Sequence, residues 1–334
     1  MEKTTKINIP VYAALILAFT AAVITVLFHP KQENYPVTTF PSISELLPKV
    51  AVINIDSAGS TTTLIKDKKN NQWLIGELGG YPADTNKTAD FINKVATAET
   101  RDIVSTNPAE YSFFGVEDIT TLSSPSEQVA FVTYDGSIPV SFIIGKTEEK
   151  GFSFIRKTDS REILKINKNF SLNNTLPFNG SSAVYWTDNR LLNIKASDIL
   201  SLQLTDIVSQ NEESIVFTKN ADGGFEAKAN FESAAINGED AKRIIAGLMN
   251  LRFINVSRLQ DIKSDMQTVF KLEITLQKGI IIINFVKVGE TEIRLEVLST
   301  DKKLSEKYNG WLYLFPWQQI LDIMPENTEG EENV

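Results

Sequence analysis

Five carboxylates, Asp84, Glu110, Glu117, Asp118 and Asp188, are the residues of this chain best placed for chemistry. A pair of acids roughly 5–10 Å apart across a sugar is what glycoside hydrolysis requires. Each of the five also has a structural reading. Asp84 stands where it would cap a helix, Asp188 opens the turn before Arg190, and Glu117 and Asp118 close a loop after Gly115. The only histidine is His29 and there is no cysteine, so Ser-His-Asp, Cys-His and His-based metal chemistry lack their residues in the folded part. No G-x-x-x-x-G-K-[ST] or G-x-G-x-x-G motif occurs, which leaves an ATPase or dinucleotide role without support. The calcium pattern D-x-[DN]-x-[DN]-G is also missing, and Gly238, Glu239 and Asp240 read as a helix cap. With 33 Lys and Arg against 42 Asp and Glu the net charge is −9, the wrong sign for a nucleic-acid partner. The expectation is a chain that is not an enzyme and holds no cofactor or metal.

Aromatic residues offer a second kind of site. Trp73, Trp186, Trp311, Trp317, Tyr81 and Tyr185 can line a sugar or peptide groove, although Trp73 and Trp311 fall in strand patterns that point to the core. Residues 107–115, NPAEYSFFG, are different, because a connection between elements is ordinarily polar and this one is aromatic. Two readings stay open for it: an exposed contact, with Tyr111, Phe113 and Phe114 as the partner-binding residues, or a plug tucked under its own sheet.

The elements that must carry these residues repeat. Residues 53–104 and 204–256 follow one plan of strand, strand ending in an aromatic, and capped helix. The offset is 152 from Trp73 to Phe225 (225 − 73), 153 from Ile92 to Ile245 (245 − 92) and 152 from Val104 to Val256 (256 − 104). Asp84 is the expected N-cap of the first helix, with Ala89, Ile92, Val95 and Ala96 facing inward. Asn237 and Asp240 form the capping box of the second, over an inward face of Ala241, Ile244, Ile245, Leu248 and Met249. Asp135-Gly136 between alternating runs predicts a two-residue type I′ hairpin, and Lys278-Gly279 and Asp159-Ser160 mark further bends. Successive hairpins leave no room for βαβ crossovers, so the fold class is α+β: two duplicated lobes, each a mostly antiparallel sheet with one or two packed helices.

Residues 10–28 contain no charged residue, and about 19 residues at 1.5 Å each reach about 28 Å, enough to span a bilayer core of roughly 30 Å. No small-x-small cleavage site follows at His29-Pro30-Lys31, so the span reads as an uncleaved anchor. Lys3 and Lys6 before it against Lys31 after it place the N-terminus in the cytoplasm and the bulk outside. A cysteine-free extracytoplasmic chain fits the bacterial envelope. The expected organisation is an anchor at 1–29, a stalk at 30–49, lobes at 50–190 and 191–325, and an acidic disordered tail at 326–334.

The strings WLIG from Trp73, YPADT from Tyr81, VSTNPAEYSFFGV from Val104, IIG from Ile143, GFSFIRK from Gly151 and YWTDNRLL from Tyr185 resemble the bacterial DUF4340 family. That resemblance implies one N-terminal span and a large extracytoplasmic part. It also implies company with Gld-type ABC transporters and gliding-motility proteins, and it carries no catalytic residues over. The resulting expectation is a membrane-anchored accessory protein that binds other envelope subunits, an ABC transporter among them. The competing one is a ligand-binding or hydrolytic protein that works in a cleft between the lobes.

Overall fold

The computed structural model describes residues 36–120, 126–170, 182–209, 211–232 and 236–324. The expected membrane span, residues 30–35 of the expected stalk and the acidic tail lie outside them. Among the described residues no helix is long and apolar enough to cross a membrane.

The fold is mixed α+β, with two antiparallel sheets and few helices. The first sheet holds β1 (Val37–Thr38), β2 (Val50–Ser57), β3 (Ser60–Asp67), β4 (Gln72–Ile75), β5 (Tyr81–Pro82), β6 (Glu99–Ser105), β7 (Glu127–Thr133), β8 (Val140–Thr147), β9 (Ser153–Lys157) and β10 (Ile163–Ile166). The second holds β11 (Ile199–Asp206), β12 (Ser214–Lys219), β13 (Phe225–Ala229), β14 (Asn255–Arg258), β15 (Met266–Leu276), β16 (Gly279–Val288), β17 (Glu292–Ser299) and β18 (Trp311–Leu314). The helices are α1 (Ile43–Leu46), α2 (Thr85–Ala96), α3 (Tyr111–Phe114), α4 (Gly238–Asn250), α5 (Lys302–Tyr308) and α6 (Trp317–Leu321).

Both sheets follow one path. Between its terminal strands β1 and β5, the first runs β6-β10-β9-β8-β7-β2-β3-β4, and the second runs β14-β18-β17-β16-β15-β11-β12-β13. Pairing β2 with β11 and counting on along the chain maps one order onto the other, with α2 and α4 in the same place. Their N-caps, Asp84 and Asn237, lie 153 residues apart (237 − 84), as do the buried pairs Phe91 and Ile244 and Val95 and Leu248.

The cap geometry follows the sequence closely. Asp84 accepts hydrogen bonds from the Asn86 and Lys87 amides, and Asn237 and Asp240 close a reciprocal capping box. The inward face of α2 is turned from the expected one: Thr88, Phe91 and Val95 are buried, Ala89 is exposed and Ile92 half-buried. Phe91 has far more apolar area to remove from water than an alanine. Thr88 tolerates burial because its hydroxyl donates to the Asp84 carbonyl at 2.9 Å.

Two hairpins also differ in detail. β7 and β8 are joined by residues 134–139 rather than by a two-residue turn. Pro139 has no amide to extend the ladder. The Asp135 carboxylate instead organises a wider loop, accepting from the Thr133 hydroxyl and from the Ser137 amide and hydroxyl. Those hydrogen bonds, the one from Thr133 foremost, hold it down at about 2. The β15–β16 turn is Gln277-Lys278, since Leu276 pairs with Gly279.

The core is continuous through both sheets rather than divided into two. A smaller cluster of Val116, Ile143, Phe154 and Ile163 lies on the other face of the first sheet. Strand alternation makes both from the same strands: Phe142 and Ile144 enter the main core while Ile143 enters the small one, and Ile155 and Phe154 divide likewise. Burial on both faces accounts for the unbroken apolar run in β8.

Candidate functional site

The aromatic connection 107–115 is a strap across the outer face of the first sheet. Asn107 caps a short turn, Pro108–Glu110, by accepting from the Ala109 amide at 3.1 Å. The single turn of α3 follows and ends at Gly115, whose φ of +70° a residue with a side chain would resist. Tyr111 and Phe114 pack down onto the small cluster, Phe114 with its ring centroid 4.8 Å from Phe154. The Tyr111 hydroxyl donates to the Arg161 carbonyl at 3.2 Å. Beneath, buried Arg156 sets its guanidinium 4.4 Å from the Tyr111 ring centre, donates to the Val116 carbonyl at 3.0 Å and pairs with Asp118 at 2.5 Å. Lys146 donates to the Phe113 carbonyl, and Gly145 leaves room for the strap, because a Cβ there would collide with the Phe114 carbonyl oxygen and Val116.

Of the three residues expected to meet a partner, Tyr111 and Phe114 therefore belong to the plug. Phe113 alone turns outward, 70% exposed. Arg156, which holds the strap down, was not singled out from the sequence. Its alternation with Phe154 and Ile155 gave no sign that a cation would be buried there.

The joint between the sheets, where a cleft was the alternative expectation, is packed. The β4–β5 corner of the first sheet meets β14 and β18 of the second. The Tyr81 ring lies edge-on to Trp311, Phe253 and Tyr313 at centroid distances of 5.0, 5.7 and 6.1 Å. Arg258 stacks 4.5 Å from the centre of Trp311 and donates to the Gly79 carbonyl at 2.6 Å. The linking segment is pinned by Phe253 N to Asn189 O at 3.0 Å, Leu191 N to Leu251 O at 3.2 Å and Tyr308 hydroxyl to Leu191 O at 2.6 Å. Burial pushes the Tyr81 phenol up to about 12 and raises Tyr308 and Tyr313 as well, so all three stay neutral. The Tyr313 hydroxyl is buried without a hydrogen bond of good geometry, although it lies near enough to Tyr81 for each to affect the other's ionisation.

Three of the five candidate acids are engaged. Asp84 caps α2, and Asp118 pairs with Arg156. Burial opposes ionisation of Asp188, but hydrogen bonds from the Arg190 side chain and backbone outweigh it and hold the carboxyl below its usual range. Glu110 is exposed on the strap and Glu117 half-buried after it. Among the other aromatic candidates, Trp186 and Trp311 are buried, Trp73 and Tyr185 partly so, and Trp317 is 60% exposed on α6. Among the described residues no group of three His, Asp or Glu stands ready to hold a metal ion. A groove of 450 Å³ lies away from the joint, between α4 and the β12–β13 hairpin, lined by Ser197, Lys219, Phe225, Lys242, Ile245 and Met249.

Glu127, at the start of β7, gives a pH dependence that was not legible in the sequence. Burial lifts its carboxyl from an ordinary 4.5 to about 7. An acid whose folded pKa is raised contributes its full stability below about pH 4.5 and loses it as pH rises through about 7. Chemical denaturation across that range should show stability falling with pH, and Glu127→Gln should flatten the fall. An unchanged slope in the variant would assign the titration to another group.

The model of the family described as a domain of unknown function, DUF4340, matches residues 73–268. The match begins in β4 and ends in β15, so it takes in the strap, the Tyr81, Phe253 and Arg258 side of the joint and parts of both sheets, while β18 lies beyond it. No curated protein and no solved structure matches the chain. The matched segment is 196 residues (268 − 73 + 1) of 334, more than half, and the chain belongs to the DUF4340 family.

Proposed function

We propose that this chain is a non-enzymatic, membrane-anchored interaction protein of the bacterial envelope, with its span at 10–28 and both sheets outside the cytoplasm. The shared strand order supports reading the two sheets as lobes of a duplication. The observation that carries the functional reading is the joint: the Tyr81, Phe253, Trp311 and Tyr313 cluster fills the space between the sheets where a ligand or sugar would bind. Exposure of Phe113, on a rigidly held strap, offers a contact instead. A fixed, exposed aromatic loses little side-chain freedom when a partner covers it, which is why such residues serve as binding anchors. The partner we infer is another envelope subunit, most naturally of an ABC-type export or motility system.

The test is affinity purification of the full chain from detergent-solubilised membranes, read by mass spectrometry against Phe113→Ser. Wild type should enrich a membrane transporter subunit, and Phe113→Ser should lose most of it while melting within about 0.5 kcal/mol of wild type, as exposed substitutions do. Equal enrichment by both proteins removes the strap as the contact. Absence of any envelope protein from the wild-type sample counts against the accessory reading itself.

A further inference from the structure

The two ends of the first sheet differ in what they present. The registers Val50↔Thr133, Val52↔Ile65, Phe131↔Val140 and Phe142↔Lys157 gather Lys49, the β3–β4 turn, loop 134–139 and the end of β9 at one end. Tyr134 and Ile138 are 45% and 58% exposed there, large apolar side chains on a loop tip. Lys49, Lys68 and Lys69 surround them, all exposed. The Lys68 ammonium sits 3.9 Å from the centre of the Tyr134 ring, and the Tyr134 amide donates to the Lys49 carbonyl at 3.0 Å, so the three segments form one surface. Acids are present, but Asp67 and Asp135 are committed to their own turns, Asp67 accepting from the Lys69 amide and Asn70, and Asp135 from Thr133 and Ser137. Exposed Asp159 lines one pocket with Ile138 and Lys157, and Glu162 stands farther along the β9–β10 turn. The opposite end, at the β8–β9 turn and the start of β7, is mixed: Glu149 and Lys150 are both exposed, Glu127 is half-buried and Glu148 pairs with Lys165.

Chain direction selects between the ends. β1 pairs antiparallel with β6 through Val37↔Thr100 and Thr38↔Glu99, and the far end of β6, Ser105, lies beside Ile163 and hence beside the end of β9. β1 therefore runs away from the lysine end, with Val37 the nearer of its two residues to it. Seven residues lie between Phe28, the last of the apolar run, and Pro36, eight Cα steps (36 − 28) with a reach of at most about 29 Å when fully extended.

We propose that the lysine end of the first sheet rests on the bilayer entered by the apolar run. Tyr134 and Ile138 sit at the level of the headgroups and Lys49, Lys68 and Lys69 lie over anionic phospholipid. The proposal depends on reading residues 10–28 as a membrane span. Aromatic and aliphatic tips ringed by lysines suit this boundary, where apolar parts leave water while ammonium groups stay with the phosphates. Each lysine near an anionic surface strengthens residence there about fivefold. The short tether makes the contact effectively intramolecular, so weak individual terms suffice.

The absence of cysteine from the chain allows a single label at will. The full chain carrying Ile138→Cys, or Lys150→Cys at the opposite end, is labelled with an environment-sensitive fluorophore. Each is reconstituted into vesicles of phosphatidylcholine with phosphatidylglycerol, and quenching by headgroup spin-labelled lipid is measured. The label at 138 should be quenched several-fold more than that at 150. The difference should collapse in pure phosphatidylcholine and in the Lys49→Glu, Lys68→Glu, Lys69→Glu variant. Equal quenching at the two positions, or a difference indifferent to both changes, overturns the docking while leaving the anchor intact. Protein that fails to float with the vesicles overturns the anchor reading, and the docking with it.

Discussion

Phe91→Ala should cost the fold about 3–5 kcal/mol, the range for removing a buried aromatic side chain and leaving a cavity. Phe91 is 3% exposed at the centre of α2. Its ring meets Trp186 at 5.3 Å and Phe170 at 6.0 Å, both edge-on, and stacks on Phe131 at 6.5 Å. No one neighbour can move to fill the space, because each is held by a different part of the chain. The counterpart in the second sheet, Ile244→Ala, loses less area and should cost about 2–5 kcal/mol. Ile92→Ala should cost less than either, since that side chain is only half-buried. Denaturant titrations of the three variants decide the matter: if Ile92→Ala proves the most damaging, the helix faces the core differently from the geometry described.

Tyr81→Ala should be comparably severe and should differ in kind. The ring is 5% exposed and bridges the β4–β5 corner to three aromatic residues of the second half. Its loss removes burial worth about 3–5 kcal/mol, together with edge-on aromatic pairs worth about 0.5–1.5 kcal/mol each. Because the core runs through both sheets, wild type should unfold in a single calorimetric transition. Tyr81→Ala should broaden or split that transition as the halves lose their coupling, whereas Tyr81→Phe, which keeps the ring, should stay close to wild type. A sharp single transition for Tyr81→Ala at the wild-type temperature would place the coupling elsewhere, in the linking segment from Trp186 to Leu192.

Local signals along the chain specified the elements well. Asp84 and Asn237 cap helices because their short side chains reach orphan amides two and three residues on, a relation contained within one turn. The period-two runs of β7, β8, β15 and β16 pair as hairpins for the same reason, since partners close in sequence pair at little entropic cost. The rotation of the α2 face was harder to read. Ala89 and Phe91 both belong to plausible stripes, and the choice falls to whichever side chain finds Trp186, Phe131 and Phe170 opposite.

The sequence by itself determined the α+β class, the antiparallel hairpins, the helix caps, the family, and the lack of histidine or cysteine for catalysis within the described fold. These depend on composition or on neighbours a few residues apart. Tertiary structure alone decided that Tyr111 and Phe114 face inward while Phe113 faces out. Three aromatics within one four-residue helical turn have no preference until a sheet lies beneath them, and Gly145 and Arg156, more than 30 residues along, prepare that sheet. It also decided that the two halves share one core. Tyr81 and Trp311 meet across 230 residues of chain (311 − 81), a contact that no local periodicity encodes and that only the closed joint makes favourable.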